Sequence, residues 1–336
     1  MLLLPACGKG PNTGPSPPPT QQTYPVTTTL FYDENGNGVL DANEAVRLPG
    51  IDVVVGSVTG KSGPGGLAVV NVTAGSQTVA IRTESVPLYY VPASPVTIGV
   101  PQSGGDLRLA MRLPIGDNLP NRYMGFGDSL TAGVGSSDNN GYILRLQSRL
   151  GAWFGRAEVI QQGKDGTTSK VGAARIPGQT GLANRPAYTL ILYGTNDWND
   201  QSCQSVPPAS CYTIDSLRTI VEEVKGRQSI PVLATLPPVN PAVNPGRNVW
   251  HDQMNELIKG LARSEGAILA DLNAAFKAKG SLPTLFSADP NGVHPNDAGY
   301  DVMADAFFQA ITQGRSASSS HRSIPLFLAT PLGSAR

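Results

Sequence analysis

The spacing of apolar residues changes character once along this chain, near residue 115, and that change limits the architecture more than any other feature. Over 24–115 the apolar residues come in short runs at 27–32, 51–55, 67–72, 77–81, 95–100 and 107–113, cut apart by Gly and Pro. β-branched runs of this length, recurring every 8 to 15 residues or so, predict a small all-β sandwich with no helix. The stretch Leu113-Pro114-Ile115-Gly116-Asp117-Asn118-Leu119-Pro120-Asn121 is dense in turn formers and marks a boundary. Beyond it the rhythm is that of strands at 122–126, 158–161, 188–193, 230–236 and 267–271 alternating with helices at 142–153, 214–225, 250–264 and 297–311. That alternation predicts parallel strands with crossover helices, hence an α/β sheet covered on both faces, over 121–314. A tail at 315–336, rich in Ser and small residues, is expected to be loosely ordered.

Composition narrows the function classes. Charged residues make up 15% of the chain, below the roughly 25% usual for soluble proteins, and 25 basic side chains cancel 25 acidic ones. No net positive field exists to release counterions from phosphates, which argues against a nucleic-acid partner. No internal apolar run approaches the roughly 20 residues that span a bilayer, so a soluble body is expected. The start, Met1-Leu2-Leu3-Leu4-Pro5-Ala6-Cys7-Gly8, resembles the end of a bacterial lipoprotein signal with Cys7 as the lipid-modified residue. Too little precedes Cys7 for a complete leader, so 1–7 is expected to be a truncated signal whose true start lies upstream; Pro5 fits the pattern poorly. The bland alternative is a chance cysteine near a terminus. Residues 8–23 read as a Pro/Gly/Ser/Thr tether, as a surface-anchored protein would need. Cys203 and Cys211 lack the further ligands of a zinc site. In an exported protein they read as a loop-closing disulfide, against two free thiols. The expected location is secreted, periplasmic or cell-surface, with membrane contact only through a lipid anchor at Cys7.

Chemistry-bearing residues gather at strand exits. Ser129 follows the first strand of the α/β part within Gly127-Asp128-Ser129-Leu130; taken alone, that tetrapeptide is as well read as a helix cap. Gly166 lies in the Gly/Thr-rich stretch after the second strand, and Asn196 in Gly194-Thr195-Asn196-Asp197 after the third. Of three histidines, His294 sits in Asn291-Gly292-Val293-His294-Pro295 before the last helix; His251 and His321 read as surface residues. In order and spacing, these blocks resemble those of the GDSL (SGNH) hydrolase family across about 121–312. The resemblance implies a flavodoxin-like three-layer parallel sheet and a serine esterase working through an acyl-enzyme. It further implies Ser129 as nucleophile, His294 as its base, and an oxyanion hole of the Ser129 and Gly166 amides with the Asn196 side chain. The chemistry is sound by itself, since a serine hydroxyl needs an imidazole to take its proton and a tetrahedral oxyanion needs preorganised donors.

Two departures from the family pattern stand out. The family usually carries Asp three residues before the histidine, where this chain has Asn291; an amide can orient the imidazole but cannot balance its positive charge. Asp289 reaches His294 if Pro290 and Asn291 form a local bulge, and a Ser-His dyad supported by Asn291 or a main-chain carbonyl is the alternative. Gln161 stands where many members have Asn, and is expected to tether the Gly166 loop. Asp128 reads as a structural carboxylate.

The β part carries a second pattern. Residues 33–44 match a twelve-residue calcium loop, with oxygens from Asp33, Asn35, Asn37, the Val39 carbonyl, Asp41 and Glu44 and with Gly38 at the sharp turn. The same residues would also make an Asn-Gly hairpin turn. The surrounding segment resembles the calcium-binding B-type repeats of bacterial surface proteins, implying a structural calcium ion and a spacer or carbohydrate-binding role; catalysis, with amide donors for the oxyanion, is expected to need no cofactor. The expected substrate is a carboxylic ester, an acylated carbohydrate or a small ester. A lipase or lysophospholipase, and a non-catalytic surface binding protein on a hydrolase scaffold, are the competing readings.

Overall fold

The computed structural model describes residues 21–180, 184–208 and 210–313. The lipidation candidate Cys7, most of the expected tether, His321 and the tail beyond 313 lie outside them. Among its described residues the first part holds eight strands, β1 (Thr23–Tyr32), β2 (Asp52–Val55), β3 (Val58–Lys61), β4 (Leu67–Thr73), β5 (Gly75–Ile81), β6 (Val91–Pro92), β7 (Val96–Val100) and β8 (Leu107–Arg112). They form two four-stranded sheets, β4-β1-β8-β6 and β3-β2-β5-β7. Alternation fixes their inward faces: in β4, Ala68, Val70 and Val72 are buried while Leu67, Val69 and Asn71 face solvent. Helical structure among the described residues of this part is limited to two three-residue turns. The unexpected strands have no apolar alternation to reveal them, since β3 is an exposed hairpin arm and β6 has two residues.

Among its described residues the second part holds five strands, β9 (Leu119–Gly127), β10 (Glu158–Gly163), β11 (Pro186–Leu192), β12 (Ile230–Ala234) and β13 (Ile268–Ala270), all parallel in the order β10-β9-β11-β12-β13. β11 is buried at every position, as a continuous apolar run covered on both faces must be. Among the described residues seven α-helices accompany the sheet: α1 (Ser129–Ala132), α2 (Ile143–Phe154), α3 (Ser169–Arg175), α4 (Thr213–Gly226), α5 (Pro245–Glu265), α6 (Leu272–Lys277) and α7 (Asp297–Thr312). On one face α2 packs on β10 and α7, which also covers β13; on the other α4 packs on β12 between α3 and α5. α2 buries Ile143, Leu146, Leu150 and Phe154, the stripe expected of a helix with one face inward. α3 and α6, with seven and six residues, are too short to show such a stripe. α5 begins five residues before its expected start, with Pro245 at a first-turn position where its missing N–H costs nothing.

The sheet order reverses at β9: the chain leaves it for β10 on one side and returns to β11 on the other. Such a switch point opens a crevice beyond the carboxyl ends of the strands, where α/β sheets bind their ligands. The two parts share one apolar core. Tyr32 packs edge-on against Tyr90 at 6.1 Å, and Tyr123 of β9 stacks on Tyr188 of β11 at 5.2 Å, all four buried. Burial holds the Tyr90 phenol well above its ordinary pKa, with Tyr123 and Tyr32 adding to the shift. The Tyr89 hydroxyl donates to the Gly266 carbonyl, the Arg47 amide to the Phe154 carbonyl at 3.0 Å, and Arg156 pairs with Glu34 at 3.2 Å. No described helix is long and apolar enough to cross a membrane.

Candidate active site

Ser129 is the first residue of α1, which begins directly after β9. A Cβ on Gly127 would lie 2.1 Å from Thr131 Oγ1 and 2.5 Å from the Leu192 carbonyl oxygen, so only glycine lets β9, α1 and β11 come this close. Asp128 caps α1 by accepting from the Leu130 amide at 3.0 Å. Its other oxygen, Oδ2, is buried without a hydrogen-bond partner among the described residues. Burial pushes its pKa up to about 7, and the charge on Asp197 adds to this. The Asp128 side chain therefore serves the helix end and does not touch Ser129's partner.

His294 enters from the loop before α7. Its carbonyl is pinned by the amide and hydroxyl of Ser287 at 3.0 and 3.1 Å. Nε2 lies 3.0 Å from Ser129 Oγ and Nδ1 lies 3.0 Å from Asp289 Oδ2. With Nδ1–H donating to the carboxylate, Nε2 is left to accept the serine proton. Asp289 reaches the ring because residues 289–292 form a turn, with the Gly292 amide donating to the Asp289 carbonyl at 3.0 Å and Gly292 at φ +66. The carboxylate also accepts from the amides of Asn291 at 3.1 Å, Val293 at 2.8 Å and His294 at 3.2 Å. Burial is the largest single influence and raises its pKa, but those amides and the imidazole outweigh it and leave Asp289 below the ordinary carboxylate value. The Asn291 backbone supports Asp289, while its exposed side chain lines the pocket.

Asn196 stands in the 3₁₀ turn Thr195–Asn199 after β11 and donates from Nδ2 to the Thr167 carbonyl at 3.0 Å. Thr167 belongs to the loop after β10, where Gly166 sits at φ +67, a conformation that side chains disfavour. Asp197, fully buried, binds the loop to its surroundings: it accepts from the Ser169 amide at 2.8 Å, from Ser169 Oγ at 2.6 Å and from Thr213 Oγ1 at 2.6 Å. The pocket, about 170 Å³, is lined by Ser129, Asp165, Asn196, Asn199, Arg247, Asn291, Val293 and His294.

Arg247, Asp165 and Asn199 in that lining were not expected from the sequence. Arg247 lies in the first turn of α5, ahead of the predicted helix start, so no amphipathic pattern pointed to it. It is 5% exposed and donates to the Thr195 carbonyl, while its Nε has no hydrogen-bond partner among the described residues. Burial lowers its pKa to about 10 even with Asp128 and Asp289 nearby to favour the charge.

Two expectations are corrected. His251 is fully buried on the inner face of α5, with Nδ1 2.8 Å from the Pro237 carbonyl, and burial lowers its pKa to about 3. The earlier start of α5 changes nothing in its register; His251 follows Trp250 into the core because both face inward. Gln161 does not tether the Gly166 loop: its Nε2 donates to the Ala132 carbonyl at 3.2 Å, because the end of β10 packs directly on α1.

Cys203 and Cys211 form a disulfide, and the Cys203 carbonyl accepts from the buried Trp250 indole at 2.6 Å. In the 33–44 loop, Asp33 and Glu44 are buried and accept from loop amides, Asp33 from Gly36 and Gly38 at 2.7 and 2.9 Å and Glu44 from Glu34 and Asp41 at 2.7 and 3.0 Å. The side-chain amides of Asn35 and Asn37 both donate to Asp41, Arg112 pairs with Asp33 at 2.9 Å, and Val39 is exposed. Among the described residues no three His, Cys, Asp or Glu side chains converge closely enough to hold a metal ion.

Solved structures similar to this chain include a lipase/acylhydrolase from Enterococcus faecalis, 21% identical, over 57% of this chain and 95% of that one, with a TM-score of 0.47. An acetylxylan esterase from Geobacillus stearothermophilus is 23% identical over 61% of this chain and 100% of that one, TM-score 0.48. No curated protein matches the chain. The GDSL-like lipase/acylhydrolase family model matches residues 126–302, which takes in Ser129, Asn196, Asp289 and His294. The chain belongs to the GDSL-like lipase/acylhydrolase family and is an ester-hydrolysing enzyme.

Proposed function

We propose that the enzyme removes short acyl groups from polar esters of the acylated-carbohydrate type, using a Ser129–His294–Asp289 triad. The observation that carries this reading is the polarity of the pocket at the triad, where Val293 is the one apolar residue among the described lining residues. A long acyl chain needs an extended apolar groove, and the lining described at this serine is polar, so the lipase reading is the weaker one. Ser129 attacks the ester carbonyl as His294 takes its proton, and the alkoxide leaves carrying that proton; water then reverses the sequence on the acyl-enzyme. Asp289 holds the imidazole tautomer and balances its charge. The Ser129 and Gly166 amides, with the N–H that Asn196 has left after binding the Thr167 carbonyl, are assigned to the oxyanion. With Asp289 available, Asn291 no longer gives a reason to regard the site as inert.

The test is active-site labelling with a fluorophosphonate together with hydrolysis of p-nitrophenyl esters of increasing chain length. Ser129 should be labelled and acetate should be cleaved better than octanoate, while Ser129→Ala should fold normally and lose both activities. Undiminished turnover in Ser129→Ala would overturn the assignment, and a preference for octanoate would restore the lipase reading.

We also propose that the enzyme works outside the cytoplasm, which the disulfide supports, with Cys7 as a lipid anchor. The 33–44 loop is proposed to take a structural calcium ion. Its hard oxygen donors suit that ion, and an ion entering there would share Asp33 with Arg112.

A further inference from the structure

Arg247 is unusual among the cations of this enzyme. A buried charge is ordinarily paired, because leaving water costs several kcal/mol (roughly) that only a partner offsets. Arg247 is 5% exposed, yet among the described residues its only hydrogen bond is to the neutral Thr195 carbonyl and no carboxylate lies within ion-pair distance. Of the nearby carboxylates, Asp289 holds His294 and three amides, while Asp128 caps α1 through one oxygen and leaves the other unpartnered; both favour the charge from a distance, and neither forms an ion pair with Arg247. The residue also sits in the first turn of a 21-residue helix, where the helix dipole repels a cation. Both features are unfavourable to the free protein, and both favour an anion in the pocket that Arg247 shares with Ser129 and His294. Asp165 on the same pocket is exposed, so solvent screens its opposing charge.

We propose that the natural ester carries a carboxylate close to the scissile bond and that Arg247 binds it, as an acylated uronic acid or the half-ester of a dicarboxylic acid would present. This rests on the esterase reading above and narrows its substrate class. A guanidinium fork matches a carboxylate through parallel N–H bonds, which a lysine ammonium cannot reproduce.

The test measures kcat/KM on two matched pairs. An O-acetylated methyl glucuronoside against the corresponding methyl glucoside places the charge on the alcohol side, and p-nitrophenyl hemisuccinate against p-nitrophenyl butyrate places it on the acyl side. The anionic member of one pair should be preferred by about tenfold or more, chiefly through KM, and the pair that shows it identifies the side. Arg247→Gln should bring the ratio within that pair to about one, whatever it does to the absolute rates, and Arg247→Lys should retain part of the preference; melting curves of both variants check that they fold. Equal rates within both pairs, or a preference that survives in Arg247→Gln, would overturn the proposal. If fluorophosphonate fails to label Ser129 and neither pair is cleaved, the esterase reading falls and takes this inference with it.

Discussion

At the scale of single residues, the support of His294 is decided by a turn. Asp289→Asn should lower kcat by orders of magnitude, since losing the carboxylate behind a catalytic histidine costs about 10⁴-fold in serine proteases. Asn291→Asp should change turnover of neutral esters only a few-fold, because residue 291 meets Asp289 through its backbone amide. The reverse ranking in steady-state kinetics would return the supporting role to Asn291. Asp128 gives a pH prediction. Its folded pKa of about 7 lies above the ordinary 3.8, so between those values the folded chain holds more protons than the unfolded one and stability falls as pH rises. Above pH 7 the full cost applies, on the order of 4 kcal/mol. Asp128→Asn keeps the oxygen that caps Leu130 and removes the charge, so it should raise the melting temperature by several degrees at pH 8 and by little near pH 4. A gain of the same size at both pH values would remove Asp128 as its source. The sequence made Ser129, Asn196 and His294 legible because each lies in a short block whose geometry is local. It left Asp289 and Asn291 undecided because the choice depends on how four residues turn, and it hid Arg247, whose meeting with Ser129 is made only by packing.

At the scale of elements, strands and helices with a full apolar stripe were legible, and those lacking one were not. β4 and α2 announce themselves by alternation and by helical spacing. α3 and α6 are held in place by what they pack against, as Asp197 shows by binding the start of α3 through both the amide and the hydroxyl of Ser169. The 33–44 loop is legible as a ligand pattern, but its closed form is made from hydrogen bonds that serve a turn equally well. Calorimetry of the whole chain should decide: calcium at a hundredfold excess over Kd should stabilise by about 2.7 kcal/mol, with esterase rate nearly unchanged by chelation. An identical melting curve with calcium and with chelator would leave the loop as an Asn-Gly turn.

At the scale of the whole molecule, the composition change near residue 115 marks two architectures, but it carries no information that their cores would merge. Tyr32 and Tyr90 bring one half of a tyrosine cluster, and Tyr123 and Tyr188 bring the other. The chain should therefore unfold in one calorimetric transition, and Tyr90→Ala, which opens a cavity at that seam, should lower it by about 3 kcal/mol or more. Two resolved peaks, the lower alone responding to Tyr90→Ala, would show that the parts unfold independently. The strand order adds a mechanical consequence. β1 is the first strand and β8 the last before the α/β part, and they lie side by side and parallel, paired from Thr28↔Leu107 to Tyr32↔Met111. A pull applied between the start of β1 and the end of β8 acts along both strands in opposite directions, loading their hydrogen bonds together in shear instead of peeling them one at a time. The β1–β8 pair thus resists tension along its own axis with all its hydrogen bonds at once.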